Sequence, residues 1–281
     1  MVALPQKNSD DRDHSSGNAP RAPFPPVGPW AMSWPLVAAL GAVGLVIGWF
    51  LRCVVFRYAV PTGTPAATAC PGCGREARAA GRVHLPPGLA SGRCAVCRAR
   101  LGPPPAAIAL VTAVLFGALA DRVHPGLVLA ASCWLAACCV PLAWIDAAVQ
   151  RLPDVLTIPA YAGTAGLLLL AAAVGTPAGG TWPELLRAAA GGLALAAGYL
   201  ALAVVSRSAV GLGDAKLAAS LGTITAWAGW PTLIAGAFAG FCLGAVYGMA
   251  LLAFRRARLG QPIPFGPFMI AGAFLAVLAG M

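Results

Sequence analysis

Eight times after residue 30 the chain runs on in apolar residues with almost no charge, at 31–51, 105–120, 126–145, 155–174, 184–206, 215–229, 231–253 and 265–281. A helix rises 1.5 Å per residue, so about 20 such residues cross the roughly 30 Å of a bilayer's hydrocarbon. The second and sixth runs fall short of that length. Of the 281 residues, 59% are apolar and 10% charged, against about 25% charged in an ordinary soluble domain. A soluble enzyme of this size could not cover its core with so little polar surface, and a disordered chain would not hold so many apolar residues. The expected fold is an all-α polytopic membrane protein. It has about eight transmembrane helices, with a small polar insert between the first and second.

Four regions follow from this pattern. Residues 1–30 form a polar tail rich in Pro, Ser and Gly that reads as disordered. The tail lacks the basic start and short apolar centre of a cleavable signal. Residues 31–51 are the first transmembrane helix, 52–104 the insert, and 105–281 the membrane core. Orientation comes from the basic residues. Arg52, Arg57, Arg75, Arg78, Arg82, Arg93, Arg98 and Arg100 lie in the insert, and Arg151, Arg207, Lys216, Arg255, Arg256 and Arg258 share its side. Lys7, Arg12, Arg21, Arg122 and Arg187 take the other. The positive-inside rule then makes the insert cytoplasmic and leaves both termini outside. The net charge of +10 is thus read as orientation. No aromatic-interleaved basic surface accompanies it, so nucleic acid is not an expected partner.

Within the insert, Cys70-Pro-Gly-Cys73 and Cys94-Ala-Val-Cys97 repeat the CxxC spacing of a zinc ribbon. Two tight knuckles can present four thiolates tetrahedrally, and a structural Zn2+ would supply the folding energy that so few apolar residues cannot. A reducing cytoplasm favours this over disulfides. The rival is a membrane thiol–disulfide oxidoreductase, whose cysteines would belong at the oxidising face instead. His84 lies between the knuckles, where four cysteines already fill the coordination shell. Cys53, Cys133, Cys138, Cys139 and Cys242 sit in or beside apolar runs and read as small hydrophobes.

Carboxylates are scarce, nine in all, and one placed within or beside a span is a functional candidate by default. Asp146 ends the third run, and Asp214 opens the sixth within Gly211-Leu212-Gly213-Asp214-Ala215-Lys216-Leu217. On the topology above both reach the cytoplasmic boundary. Two carboxylates at one level can activate a water and polarise a carbonyl. Gly211 and Gly213 are expected to let a substrate strand approach the backbone. Asp146 sits at a helix C-terminus and Asp214 at an N-terminus, so Asp146 is expected to be the acid and Asp214, near free N–H groups, the base. A transporter using the two aspartates as ion sites, with a regulatory zinc module, is the alternative. Its sites would be expected near the bilayer midplane.

The ordered set resembles a known family. It runs through Gly48-Trp49-Phe50-Leu51 with Val55-Phe56-Arg57, the paired CxxC, and Asp146 with Leu152-Pro153-Asp154. It closes with Gly211–Leu217 and Ile263-Pro264-Phe265-Gly266-Pro267-Phe268. Over about residues 40–281 it is similar to the bacterial prepilin peptidases, membrane aspartic proteases of the GxGD type. The resemblance implies an inner-membrane enzyme that cuts the basic leader from type IV prepilins or pseudopilins at the cytoplasmic face. In many members it also implies N-methylation of the new N-terminus with S-adenosylmethionine. It further implies that Asp146 and Asp214 are the catalytic pair and that Asp154, with Lys216, supports them; Asp154 reads as shaping the loop or capping the fourth helix. Two stretches depart from the family. Arg52 stands where an Asn is usual, and Pro103-Pro104-Pro105-Ala106-Ala107-Ile108 lacks the usual aromatic and acid. Both lie in the region associated with methyl transfer.

Overall fold

A computed structural model of the chain describes residues 34–61, 63–74, 93–94, 96–175, 180–206, 211–255 and 263–280. Among them eight helices follow one another: α1 Trp34–Tyr58, α2 Pro105–Arg122, α3 Leu127–Val149, α4 Asp154–Val174, α5 Trp182–Ser206, α6 Leu212–Ala228, α7 Trp230–Ala253 and α8 Gly266–Ala279. Each falls on one of the apolar runs. Among the described residues β structure is limited to isolated bridges, one of them between Arg93 and Arg100. The tail at 1–30 and His84 lie outside the described residues.

Five helices, α1, α3, α4, α5 and α7, are long and apolar enough to cross a membrane. This is the helix set of an integral membrane protein. The expectation of eight spans is met only to that extent. With 17 and 14 residues, α6 and α8 measure about 26 and 21 Å. Helices enclosed by protein need not match the bilayer's thickness, and α6 is such a helix. From Asp214 to Ala228 every residue except Lys216 and Ala219 is buried.

Consecutive helices pair most closely: α1 with α2, α3 with α4, α5 with α6, α7 with α8. Lipid tails are as apolar as leucine, so helices in a bilayer associate through close packing at small residues. A Cβ on Gly48 would come within 2.6 Å of the Ala109 backbone, and one on Gly222 within 2.8 Å of the Gly191 carbonyl. The central helix is α3, in contact with α1, α2, α4, α6 and α8. It buries Leu135, Ala136, Cys139, Leu142 and Ile145 completely. Cys133 and Cys138 are buried with them, whereas Cys53 is half-buried and Cys242 exposed. At the far end of α6, Arg187 of α5 donates through Nε to the Ala226 carbonyl at 2.8 Å and through Nη2 to that of Trp227 at 2.6 Å. These satisfy carbonyls that a helix end leaves open.

The first helix does not stop at Leu51. It continues to Tyr58, so Arg52 and Arg57 are helical residues and not part of a loop. Arg52 is only 2% exposed. Its guanidinium reaches the carbonyls of Pro103 and Leu101, each at 3.2 Å. The cation thereby pins the exit of the insert to α1.

Candidate active site

Asp146 lies in the last turn of α3. That helix closes at Gln150, which adopts the left-handed conformation (φ 52°) and donates its N–H to the Asp146 backbone carbonyl at 2.8 Å. Asp214 is the third residue of α6, with Gly211 as N-cap. Its Oδ2 accepts the Gly211 N–H at 3.0 Å, and its own N–H donates to the Gly211 carbonyl, also at 3.0 Å. The aspartate thus performs the reach-back half of a capping box, and the glycine carbonyl stands in for the missing N-cap side chain. Both aspartates are buried, at 5% and 8% exposure. Their carboxylates interact electrostatically. Two scarce carboxylates from different helices are therefore brought together inside the bundle.

The expected asymmetry between them is not seen in their partners. Asp146 does sit at the C-terminal end of α3, but its Oδ2 accepts the N–H of Gly266 at 2.9 Å, the first residue of α8. Each carboxylate thus holds one backbone N–H at a helix N-terminus, because α8 arrives beside the end of α3. Tyr199 of α5 completes the surroundings. It is buried, interacts electrostatically with Asp214, stacks on Phe241 at 5.7 Å and tilts against Phe265 at 5.9 Å. Gly266 and Tyr199 are absent from the expected site. A tyrosine within an apolar helix is a faint signal for such a role. No local spacing could pair Gly266 with Asp146.

The glycines of the Gly211–Asp214 turn differ from each other. Gly211 is exposed, and among the described residues a Cβ there would meet Asp214 Oδ2 and the Gly213 nitrogen, each at 3.8 Å. Gly213 is closed off, since a Cβ would lie 3.0 Å from Leu152 Cβ. Leu152 of the α3–α4 connection fills the space expected for a substrate strand. Lys216 Nζ pairs with Asp154 Oδ1 at 2.6 Å, both side chains about half exposed. Asp154 does not cap α4, whose N-cap is Pro153; it ties the start of α4 to the start of α6.

Away from this pair, the Sγ atoms of Cys70, Cys73, Cys94 and Cys97 lie within 4.8 Å of one another. Two edges across the knuckles measure 3.6 Å (Cys70–Cys97) and 3.7 Å (Cys73–Cys94). A tetrahedron with metal–sulfur bonds of about 2.3 Å has edges of about 3.8 Å, so the four sulfurs fit one such ion. Backbone hydrogen bonds from Cys97 and Val96 pull the Cys94 thiol down, while burial and the neighbouring thiols push Cys97 up, so the four share their protons as one cluster.

Residues 131–249 match the Type IV leader peptidase family. A prepilin leader peptidase/N-methyltransferase of Pseudomonas aeruginosa is 35% identical over 222 residues, covering 76% of this chain and 71% of the relative. The chain belongs to the type IV leader peptidase family. A protein of the same name from Burkholderia pseudomallei is 32% identical across 97% of this chain and 93% of its own length. Another, from Stutzerimonas stutzeri, is 30% identical over 88% and 92%. No solved structure matches the chain. The family match spans both aspartates but neither the cysteine cluster nor α8.

Proposed function

We propose that this chain is a prepilin leader peptidase of the inner membrane, cutting the basic leader of type IV prepilins or pseudopilins with Asp146 and Asp214. The observation that carries this reading is the buried pair of interacting carboxylates in a member of a leader peptidase family. One carboxylate takes a proton from water as that water attacks the scissile carbonyl. The other, protonated, donates to the carbonyl oxygen; on collapse the first passes its newly gained proton to the departing amine while the second takes a proton back from the hydroxyl on the tetrahedral carbon. Each aspartate has one backbone N–H partner, so the two act as a coupled dyad sharing the proton, with no fixed division between acid and base. Asp154 and Lys216 serve as a brace outside this chemistry.

In this reading all eight helices lie in the bilayer, α6 and α8 as short enclosed members, with the insert cytoplasmic and both termini outside. Cys70, Cys73, Cys94 and Cys97 hold a structural Zn2+, whose chemistry is to tie the two knuckles together. Lipid contacts the exposed apolar faces. N-methylation with S-adenosylmethionine is the second activity that the relatives' names bring to the reading. A groove of about 540 Å³ between α1 and α2 is lined by Leu45, Val46, Trp49, Phe50, Ala106, Ala109 and Leu110, all apolar.

Purified chain in lipid vesicles, given a prepilin, should release the leader. Asp146→Ala and Asp214→Ala should each abolish release. Cleavage by either variant would remove the aspartic mechanism. Labelled methyl from S-adenosylmethionine on the new N-terminus measures the second activity in the same assay.

A further inference from the structure

The first turn of α8 leaves one amide for use outside the helix. The Phe268 and Met269 N–H groups both donate to the Phe265 carbonyl, at 3.1 and 3.2 Å. Pro267 has none to give. The Gly266 N–H goes to Asp146 Oδ2 at 2.9 Å in a buried contact. The opening amides of a helix have no partner within it, and here the sequence Phe265-Gly266-Pro267 narrows the supply to a single donor aimed at a single carboxylate.

That donor is also sterically specified. A Cβ on Gly266 would lie 2.8 Å from Asp146 Oδ2 and 3.2 Å from Cγ, closer than real Cβ atoms approach such neighbours. The backbone holding it is fixed from two sides. Phe265 packs against Tyr199 and Phe241 with ring centroids 5.9 and 5.2 Å away. Further along, Gly272 of α8 lies so close to the backbones of Gly240 and Gly236 of α7 that it has no room for a Cβ. The position of the Gly266 N–H is thus held by α7–α8 packing and an aromatic wedge.

We propose that Gly266 is a positioning residue of the peptidase site. Its N–H commits Asp146 Oδ2, and its lack of a side chain lets the carboxylate reach the helix end, leaving Oδ1 for water or substrate. Asp214 is arranged alike, with Oδ2 committed to Gly211. The inference rests on the peptidase reading and adds α8, which lies outside the family match, to the working site.

Hydrogen exchange in full-length chain tests the contact without any activity. The segment 263–268 carries four exchangeable amides, because Pro264 and Pro267 have none. Exchange at Gly266 should be at least about tenfold faster in Asp146→Ala than in wild type, and slower again in Asp146→Asn, which keeps an acceptor oxygen. Equal exchange in wild type and Asp146→Ala would overturn the proposal. Gly266→Ala should lower kcat on prepilin about a hundredfold with KM little changed; wild-type kcat in that variant would overturn it as well. If wild-type chain cuts no prepilin, the peptidase reading falls while the exchange experiment still decides the Gly266–Asp146 contact.

Discussion

Asp146 and Asp214 are delivered by two helices of a bundle, whereas Cys70, Cys73, Cys94 and Cys97 come from two short knuckles with few buried apolar neighbours among the described residues. The buried cluster shared by α3, α6 and α8 includes Leu135, Cys139, Leu142, Leu217, Leu221 and Phe274, and it would persist if both aspartates were replaced. Around the cysteines the buried apolar cluster is Cys70, Cys94 and Leu101, with Phe56 and Ala99 partly buried against it. Two of its three buried members are themselves candidate ligands. In one region polar groups are guests of a packed core; in the other they are the core. The same kind of substitution should therefore cost activity in the first and folding in the second.

The largest expected effect lies in the bundle. Asp214→Asn retains an oxygen for the Gly211 N–H but cannot act as base or acid, so cleavage should fall by at least about a thousandfold. Its thermal midpoint should stay within about 3 °C of wild type, as for a substitution that opens no cavity. A large loss of stability would mean that the carboxylate is structural and would erase the contrast. Next comes the insert. Structural zinc contributes about 10–16 kcal/mol in small zinc domains, so Cys70→Ser with Cys73→Ser should lose the bound metal. Limited proteolysis should then cut within 52–104 while the helical signal of the core survives. Retained metal, or a core that unfolds along with the insert, would show that the two regions are not independent.

Helices were legible because apolar runs report burial directly, and all eight fall where such runs occur. Their ends were less so. Arg52 reads as a loop residue by charge alone, since nothing local reveals that Leu101 and Pro103 supply the carbonyls it needs. Scarcity singled out Asp146 and Asp214 as candidates, and spacing did the same for the cysteines. Gly266 and Leu152 act across the bundle, where neither periodicity nor spacing carries information. The N–H held by Asp146 was not legible for the same reason: the end of α3, taken alone, gives no hint of the α8 N-terminus arriving beside it.

Gly213 gives a smaller and more diagnostic effect. A Cβ there must displace Leu152, at 3.0 Å, and overpacking of this kind costs about 1–3 kcal/mol. Gly213→Ala should lower both stability and cleavage, since Asp214 is the next residue. Removing the obstacle with Leu152→Ala in the same chain should recover much of the loss, a coupling readable in a double-mutant cycle. If the double variant is no better than Gly213→Ala, the glycine serves an approaching substrate instead, and the open-backbone expectation returns.

The smallest effect is expected at Lys216 and Asp154. Their 2.6 Å contact is short, but the side chains are 51% and 57% exposed. Exposed ion pairs are worth about 0.2–1 kcal/mol and weaken as salt rises. A cycle through Lys216→Ala and Asp154→Ala should give a coupling in that range that shrinks between low and high salt, with cleavage reduced less than about threefold. A brace at the surface can lose strength without moving Asp214, because α6 is also held by its buried face and by Arg187 at the other end. Should either substitution cut the rate as deeply as Asp214→Asn, the pair would belong with the aspartates and not with the scaffold. The division between packed core and polar site would then have to be redrawn to include the starts of α4 and α6.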